Sequence, residues 1–307
     1  MLAADKTRGV TYKIGFIGCG NMARSLAEGM LLSGQVVTGH IIASATRESS
    51  ENLKKMKALG VTTTAHNRDV ILNSDVIVLA TKPQQILDIT TEIQASISDS
   101  QSQTHLQPYT ASAKNWRPLI VSVAASITIS DLEEKISMSK GGSPVASPLP
   151  VIRSMPTVAS SVGAGITAYC SGNSCNEVDV KPFVKLFSLC GPVVEVPEKY
   201  LDAITSVSGC GIAFAAVGLE GMADGAVLSG LPRQIAQKFA AHAMMSAAKL
   251  VLHKGLNPAD IKDSVCGPGG ATMYGIQKME AKGTRGAFID AVMASTVITS
   301  RVLKPKL

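Results

Sequence analysis

Near its start the chain runs Tyr12-Lys13-Ile14-Gly15-Phe16-Ile17 directly into Gly18-Cys19-Gly20-Asn21-Met22-Ala23. A buried strand, a Gly-x-Gly-x-x-Ala turn and a helical pattern over residues 22–32 constrain the fold more than any other stretch. Tight turns produce glycine pairs in many proteins, so the flanking strand and helix carry the meaning. In that setting Gly18 permits the sharp turn, Gly20 lets a pyrophosphate approach the backbone, and the small Ala23 lets the helix pack on the sheet. The free amides and positive dipole end of the helix then bind the phosphates.

The rest of the first half keeps the same rhythm. Strands are predicted at 40–44, 61–64, 75–80 and 119–124, and helices at 50–59 and 69–72. The runs Asp75-Val-Ile-Val-Leu-Ala80 and 119–124 are continuously apolar, as parallel strands covered on both faces are. The fold class is therefore an α/β Rossmann-type doubly wound sheet. Residues 98–117, rich in Ser, Gln, Thr and Ala, read as an insertion, and 139–150, rich in Gly and Pro, as a loop. Beyond residue 176 only helices are expected: 177–189, a Gly/Ala-dense helix at 208–229, one opened by Pro232 and reaching His253, a short one opened by Pro258, then 270–281 and 284–302. The small residues of 208–229 allow close helix approach, and so apolar a face often belongs to a subunit interface. The expected division is 1–176 for the nucleotide-binding domain and 177–307 for an all-α dimerisation and substrate-binding domain.

Composition removes other classes. The 307 residues carry 29 basic and 23 acidic side chains, a net charge of +6 without the Lys/Arg clusters of nucleic-acid binding. At 46% hydrophobic the chain fills a large core, and with 1 Trp, 5 Tyr and 6 Phe that core is expected to be aliphatic. No run approaches the roughly 18–20 apolar residues of a membrane helix, since Glu220 and Asp224 interrupt 212–228. Asp5, Lys6, Arg8 and Lys13 break any secretory leader, so a cytoplasmic setting is expected, with a mitochondrial one left open. Six cysteines without a C-x-x-C pair and five histidines without H-x-x-x-H argue for reduced thiols and no metal site. His242 and His253 read as structural, and Glu220 and Asp224 as a polar helix face.

Cofactor identity is read about 20 residues after the glycine turn, at the end of the second strand. There stand Ser44-Ala45-Thr46-Arg47, hydroxyls and a guanidinium suited to a 2′-phosphate, where an acidic residue would suit NADH; NADPH is favoured and NADH kept open. Ala80-Thr81-Lys82-Pro83 and Ala124-Ala125-Ser126 end later strands, on the edge where such sheets bind ligands. A second glycine turn, Gly267-Pro268-Gly269-Gly270-Ala271-Thr272, opens a late helix without a basic residue. Its backbone N–H groups suit a carboxylate, and the absence of Lys-Ser/Thr excludes a phosphate loop.

With these motifs in place the chain resembles the pyrroline-5-carboxylate reductases. The resemblance spans residues 14–301 and is most specific over 263–292: Gly-Pro-Gly-Gly-Ala-Thr, Met279-Glu280, Arg285-Gly286-Ala287 and Asp290-Ala291-Val292. It implies a Rossmann domain followed by a helical dimerisation domain, assembly into homodimers and in some members rings of dimers, and reduction of the cyclic imine 1-pyrroline-5-carboxylate to L-proline with NAD(P)H. Carried over by position, the cofactor contacts are Ile17, Gly18, Cys19, Gly20, Asn21, Met22, Ala45, Asn67, Ala80 to Pro83, Ala124 to Ser126 and Ser264. The substrate contacts are Glu198, Ala271 and Thr272, to which the glycine turn adds Gly269 and Gly270. From the residues alone, Glu198 beside a helix start is more often a first-turn charge. Four departures stand out: Gly267 for Ser or Thr, Ser264 for Asn, Ser126 for Gly, and Ser154 to Ala159 without the usual Asn-Thr-Pro. Thr272 is the expected catalytic residue, its hydroxyl on the ring nitrogen. Two other readings of the residues remain: a β-hydroxyacid dehydrogenase, which needs a Lys that does not occur between Gly211 and Lys238, and a silent NADP-binding regulator.

Overall fold

The computed structural model describes residues 9–45, 50–102, 117–125, 127–137 and 148–300. Residues 103–116 of the expected insertion, 139–147 of the expected loop, and the candidate residues Arg47 and Ser126 lie outside them. The chain divides into two compact units, one running to Thr205 and taking back the chain from Ile298, the other Ser206–Val297.

In the first unit the order is β1 (Ile14–Ile17), α1 (Asn21–Leu32), β2 (Ile41–Ser44), α2 (Glu51–Ala58), β3 (Thr62–Thr64), α3 (Asn67–Leu72), β4 (Val76–Leu79), α4 (Pro83–Ser102), β5 (Leu119–Ser122), α5 (Ile129–Ser137), β6 (Val151–Met155), β7 (Thr167–Ser171), α6 (Glu177–Phe187), β8 (Val193–Glu195) and α7 (Leu201–Ile204). They build one sheet in the order β3-β2-β1-β4-β5-β6-β7-β8. Every neighbouring pair is parallel except β6 with β7. Ile17 pairs with both Ser44 and Leu79, and Leu79 with Ser122, so β1, β2, β4 and β5 end level at one edge.

Side chains alternate across each strand, so the apolar runs supply both faces of the sheet. Phe16, Ala43, Val78 and Val121 pack on one face against Leu26 and Met30 of α1 and Phe183, Leu186 and Phe187 of α6. Ile77, Leu79 and Ile120 pack on the other against Val70 and Ile71 of α3, Ile86 and Ile93 of α4, and Leu132 of α5. The core is less purely aliphatic than composition suggests, because Phe16, Tyr169, Phe183 and Phe187, four of the few aromatics, concentrate in it. The Phe183 ring lies 4.3 Å from Phe187 and 4.9 Å from Tyr169.

The expected boundary after residue 176 moves to 205. Asn176 caps α6 through a capping box with Asp179, and α6 then buries its aromatic face against the sheet. β8 pairs with β7 further on. The change to helical periodicity at 177 therefore marks a layer of the first domain rather than its end.

The second unit contains α8 (Gly211–Leu228), α9 (Arg233–Lys254), α10 (Pro258–Ser264), α11 (Ala271–Ala281) and most of α12 (Thr284–Thr299). A π-helical stretch, Thr205–Cys210, precedes α8. α8 and α9 pack together around Ala223, Ala236 and Ala240, and Asp224 pairs with Arg233. Outside that seam the helices expose Val217, Leu228, Phe239 and Leu252, each by more than two thirds. Contrary to expectation, the helical segment Glu198–Leu228 is long and apolar enough to cross a membrane, with a mean hydropathy of 1.5 over its best window. The reason is that alanine, the branched aliphatics, Phe214 and Met222 outweigh the two acidic side chains of Glu220 and Asp224 in the average.

Candidate cofactor and substrate sites

At the level edge of the sheet, the β1–α1 turn is held from below by backbone. Gly18 N–H donates to Ser44 O at 3.0 Å and Ala80 N–H to Ile17 O at 2.9 Å. Gly18 sits at φ +102°, and a Cβ there would lie 2.7 Å from Ala80 O. Gly20 is different: its φ of −67° is open to any residue, and a Cβ would meet nothing nearer than Ala80 O at 3.8 Å. Protein backbone requires glycine at 18, whereas at 20 the space is left for something other than protein.

Gly20 is also the N-cap of α1, with no side chain bonded to the helix end and no acid in the first turn. The first amides of a helix lack intrahelical acceptors, so they remain for an anion. Thr81 Oγ1 is buried at the mouth of this turn without a hydrogen-bond partner among the described residues. An open cradle over Gly20, free helix amides and an orphaned hydroxyl fit a dinucleotide. A cleft of about 430 Å³ joins these groups, lined by Ile17, Gly18, Cys19, Gly20, Ser44 and Ala45, by Asn67, and by Ala80, Thr81 and Lys82. Asn21 and Met22 open α1, Pro83 opens α4, and Ala124 and Ala125 follow β5. These belong to the same edge without lining the cleft.

Ser44 lines the cleft from a fully buried position, its hydroxyl donating to Asn67 Oδ1 at 2.7 Å, and residues the motif does not show line it as well. Asn52 of α2 and Gln85, Asp88 and Ile89 of α4 also line the cleft. Helical spacing from Pro83 puts Gln85, Asp88 and Ile89 on neighbouring turns, the one signal that could have found them. Burial pushes the Cys19 thiol up to about 11, which keeps it neutral beside the phosphate turn.

Cys170 and Cys175 also rise to about 11 and Cys190 to about 12, in each case chiefly through burial. All six cysteines are free. Against an ordinary value of 9.0, folding favours the protonated thiols. Their contribution to stability is full below pH 9 and lost as pH rises through 11. At pH 8 Cys19, Cys170 and Cys175 are expected to alkylate with iodoacetamide roughly 100-fold, and Cys190 roughly 1000-fold, more slowly in the native protein than in urea. Mass spectrometry of the labelled peptides measures this, and equal rates would contradict the burial.

The expected substrate residues fall in two places. Glu198 begins a 3₁₀ turn of the first unit and lines a separate cavity of about 520 Å³ with Glu133, Cys170 and Glu195. Its Oε1 accepts from Arg153 Nη1 at 3.0 Å and from Ile129 N–H at 2.8 Å. Arg153 Nη2 reaches Asp202 at 2.9 Å, and Arg153 is only 3% exposed.

The late glycine turn belongs to the second unit. Gly269 takes φ +69°, and Gly270 N–H donates to Gly267 O at 2.9 Å, closing the turn. Gly270 is therefore the N-cap of α11 rather than an open donor. The amides left by helix geometry are those of Ala271 and Thr272. Ser264, expected at the cofactor, ends α10 and donates its hydroxyl to Ile261 O at 2.8 Å. Among the described residues no group of three or more His, Cys, Asp or Glu is placed to hold a metal ion.

A mostly parallel sheet with a glycine turn at its first crossover, followed by a helical unit with a second glycine turn, is the architecture of nicotinamide-nucleotide-dependent oxidoreductases. The family model for NADP oxidoreductases dependent on coenzyme F420 matches residues 13–104. The model for pyrroline-5-carboxylate reductase dimerisation matches 198–301. Pyrroline-5-carboxylate reductase 2 of Rattus norvegicus is 36% identical over 287 residues, 93% of this chain and 82% of the relative. The pyrroline-5-carboxylate reductase of Methanosarcina acetivorans is 33% identical over 92% of this chain and 95% of its own. Among solved structures, the Coxiella burnetii reductase aligns with TM-score 0.75 and 27% identity, covering 96% of this chain and 100% of that one. The Plasmodium falciparum enzyme, solved with NADP bound, shares the fold at TM-score 0.77 and 23% identity over 95% of this chain and 98% of that one. This chain belongs to the pyrroline-5-carboxylate reductase family, whose members are NAD(P)H-dependent oxidoreductases.

Proposed function

We propose that this chain reduces the cyclic imine of L-1-pyrroline-5-carboxylate to L-proline, the last step of proline biosynthesis. The observation that carries the proposal is the pair of glycine turns, one with an uncapped helix start suited to a nucleotide and one whose Ala271 and Thr272 amides and Thr272 hydroxyl suit a small acid. When bound, the reduced nicotinamide supplies the hydride. The Ala271 and Thr272 amides hold the substrate carboxylate, and the Thr272 hydroxyl bonds the ring nitrogen. A cyclic imine is basic enough to take its proton from water, so the chain needs no tuned acid, and catalysis rests on positioning. Glu198 is kept as a substrate contact only through the carboxylate face left by Arg153 and Ile129.

NADPH is the preferred cofactor in this proposal, supported by Ser44-Ala45 where an acid would read NADH. The exposed apolar surfaces of α8, α9, α11 and α12 support a homodimer as the minimum assembly, with rings of dimers built on it. Patches of that extent mark protein or membrane contacts, and the match to a dimerisation model over the same residues favours protein. Buried, unpaired thiols support a reducing compartment, proposed as the cytoplasm.

NADPH oxidation, followed by absorbance with and without 1-pyrroline-5-carboxylate and repeated with NADH, tests both reaction and preference. Nucleotide binding without turnover would favour a regulator. Thr272→Ala is expected to lower kcat/KM by about 5- to 150-fold, roughly 1–3 kcal/mol for a lost bond to a polar or charged group. Unchanged kinetics in that variant would remove Thr272 from the mechanism.

A further inference from the structure

Ser44 is the point where two halves of the nucleotide cleft meet. Its carbonyl accepts from Gly18 N–H at 3.0 Å and from the Cys19 thiol at 3.2 Å, tying it to the phosphate turn. Its hydroxyl turns the other way and donates to Asn67 Oδ1 at 2.7 Å. Asn67 Nδ2 in turn donates to Glu92 Oε2 of α4 at 2.8 Å. A carboxylate only accepts hydrogen bonds, so the nitrogen of the Asn67 amide must face Glu92. The Ser44 hydroxyl, donating from a fully buried position, meets the oxygen. Two contacts on opposite ends of one amide leave it a single orientation.

We propose that Ser44 is a positioning residue for the cofactor: with Glu92 it locks the Asn67 amide so that a donor, the second Nδ2 hydrogen, is offered where β2 ends. That is the place at which doubly wound sheets read the adenosine ribose. A donor there suits the oxygens of a 2′-phosphate, whereas an inverted amide would present its own oxygen and repel them. A serine that the sequence suggests as a direct ligand acts instead through a neighbour 23 positions on. The proposal rests on Asn67 touching a cofactor that carries the 2′-phosphate.

Direct binding, without turnover, separates the two layers. Titration calorimetry of the full chain with 2′-phospho-ADP-ribose and with ADP-ribose is run on the wild type, Ser44→Ala, Asn67→Ala and the double variant. Ser44→Ala is expected to weaken the 2′-phosphorylated ligand about 3- to 10-fold, the scale of one hydrogen bond, with a smaller change for ADP-ribose. In the Asn67→Ala background the same substitution should have no further effect, which a purely structural role for Ser44 would not produce. Ser44→Cys keeps the side-chain volume and serves if the alanine variant does not fold. If Asn67→Ala binds both ligands like the wild type, the assignment of Asn67 falls and the proposal with it. If Asn67→Ala weakens binding but the Ser44 effect is nil or simply adds to it, the positioning role alone is overturned.

Discussion

Gly18→Ala is expected to abolish useful nucleotide binding and to destabilise the first unit. Two costs fall on one methyl group. A backbone at φ +102° costs a residue with a Cβ about 1–2 kcal/mol. The Cβ would also stand 2.7 Å from Ala80 O, an atom fixed by the pairing of β1 with β4, so the turn must shift as a body. Together these should lower unfolding free energy by about 2–4 kcal/mol. The shift also misaligns the α1 amides. With charge-assisted bonds at about 1.5–3 kcal/mol each, NADPH affinity should fall by about two orders of magnitude. Calorimetric titration and urea unfolding measure the two effects. Gly20→Ala provides the contrast: the nearest described protein atom to its Cβ, Ala80 O, lies at an ordinary contact distance of 3.8 Å, so stability should hold while affinity drops. A Gly18→Ala protein that binds and melts like the wild type would show that this turn is not the phosphate site.

The second large effect is expected at Arg153. This guanidinium, almost wholly buried, neutralises Glu198 and Asp202, and its Nε has no partner among the described residues. Arg153→Met removes the positive charge and leaves two carboxylates facing each other near the start of α7. Stranding the partner of a fully buried pair costs about 3–5 kcal/mol. Here the side chains of Glu198 and Asp202 remain 34% and 30% exposed, so water recovers part of that and about 2–3 kcal/mol is expected. Urea unfolding reads the loss. Adding Glu198→Gln and Asp202→Asn should recover much of it, because the stranded charges, rather than the missing packing, carry the cost. A single variant as stable as the wild type would show that the clamp contributes nothing.

The nucleotide half of the site was legible because its chemistry is local. Gly18, Gly20 and Ala23 fall within six consecutive residues, and the strands around them announce themselves as apolar runs. The late turn at 267–272 was legible for the same reason, although which amides it frees depended on the bond from Gly270 to Gly267. Ser44 and Glu198 were harder. Each carries a polar group whose partner lies 23 or 45 positions away, and no spacing rule shows whether such a group faces ligand or protein. The strands β6 to β8 do not stand out in the sequence because β6 follows a Pro-rich loop and polar residues, Arg153 and Ser154 in β6 and Thr167 and Ser171 in β7, break the apolar runs that mark the earlier strands. Helix α6 was assigned to the wrong domain because its period is the same whichever unit it packs on.

The sequence by itself determined the doubly wound sheet, the glycine turn at its first crossover and the succession of helices, consequences of periodicity and of glycine where Cβ is forbidden, while the family came from the resemblance of its motifs. Only the tertiary structure decided that the sheet continues to β8, that the Ser44 hydroxyl meets Asn67, and that Arg153 holds Glu198. Those outcomes depend on which polar atoms meet when distant segments fold together. Each buried donor or acceptor must find its partner in three dimensions, and the order of residues along the chain does not say which one it finds.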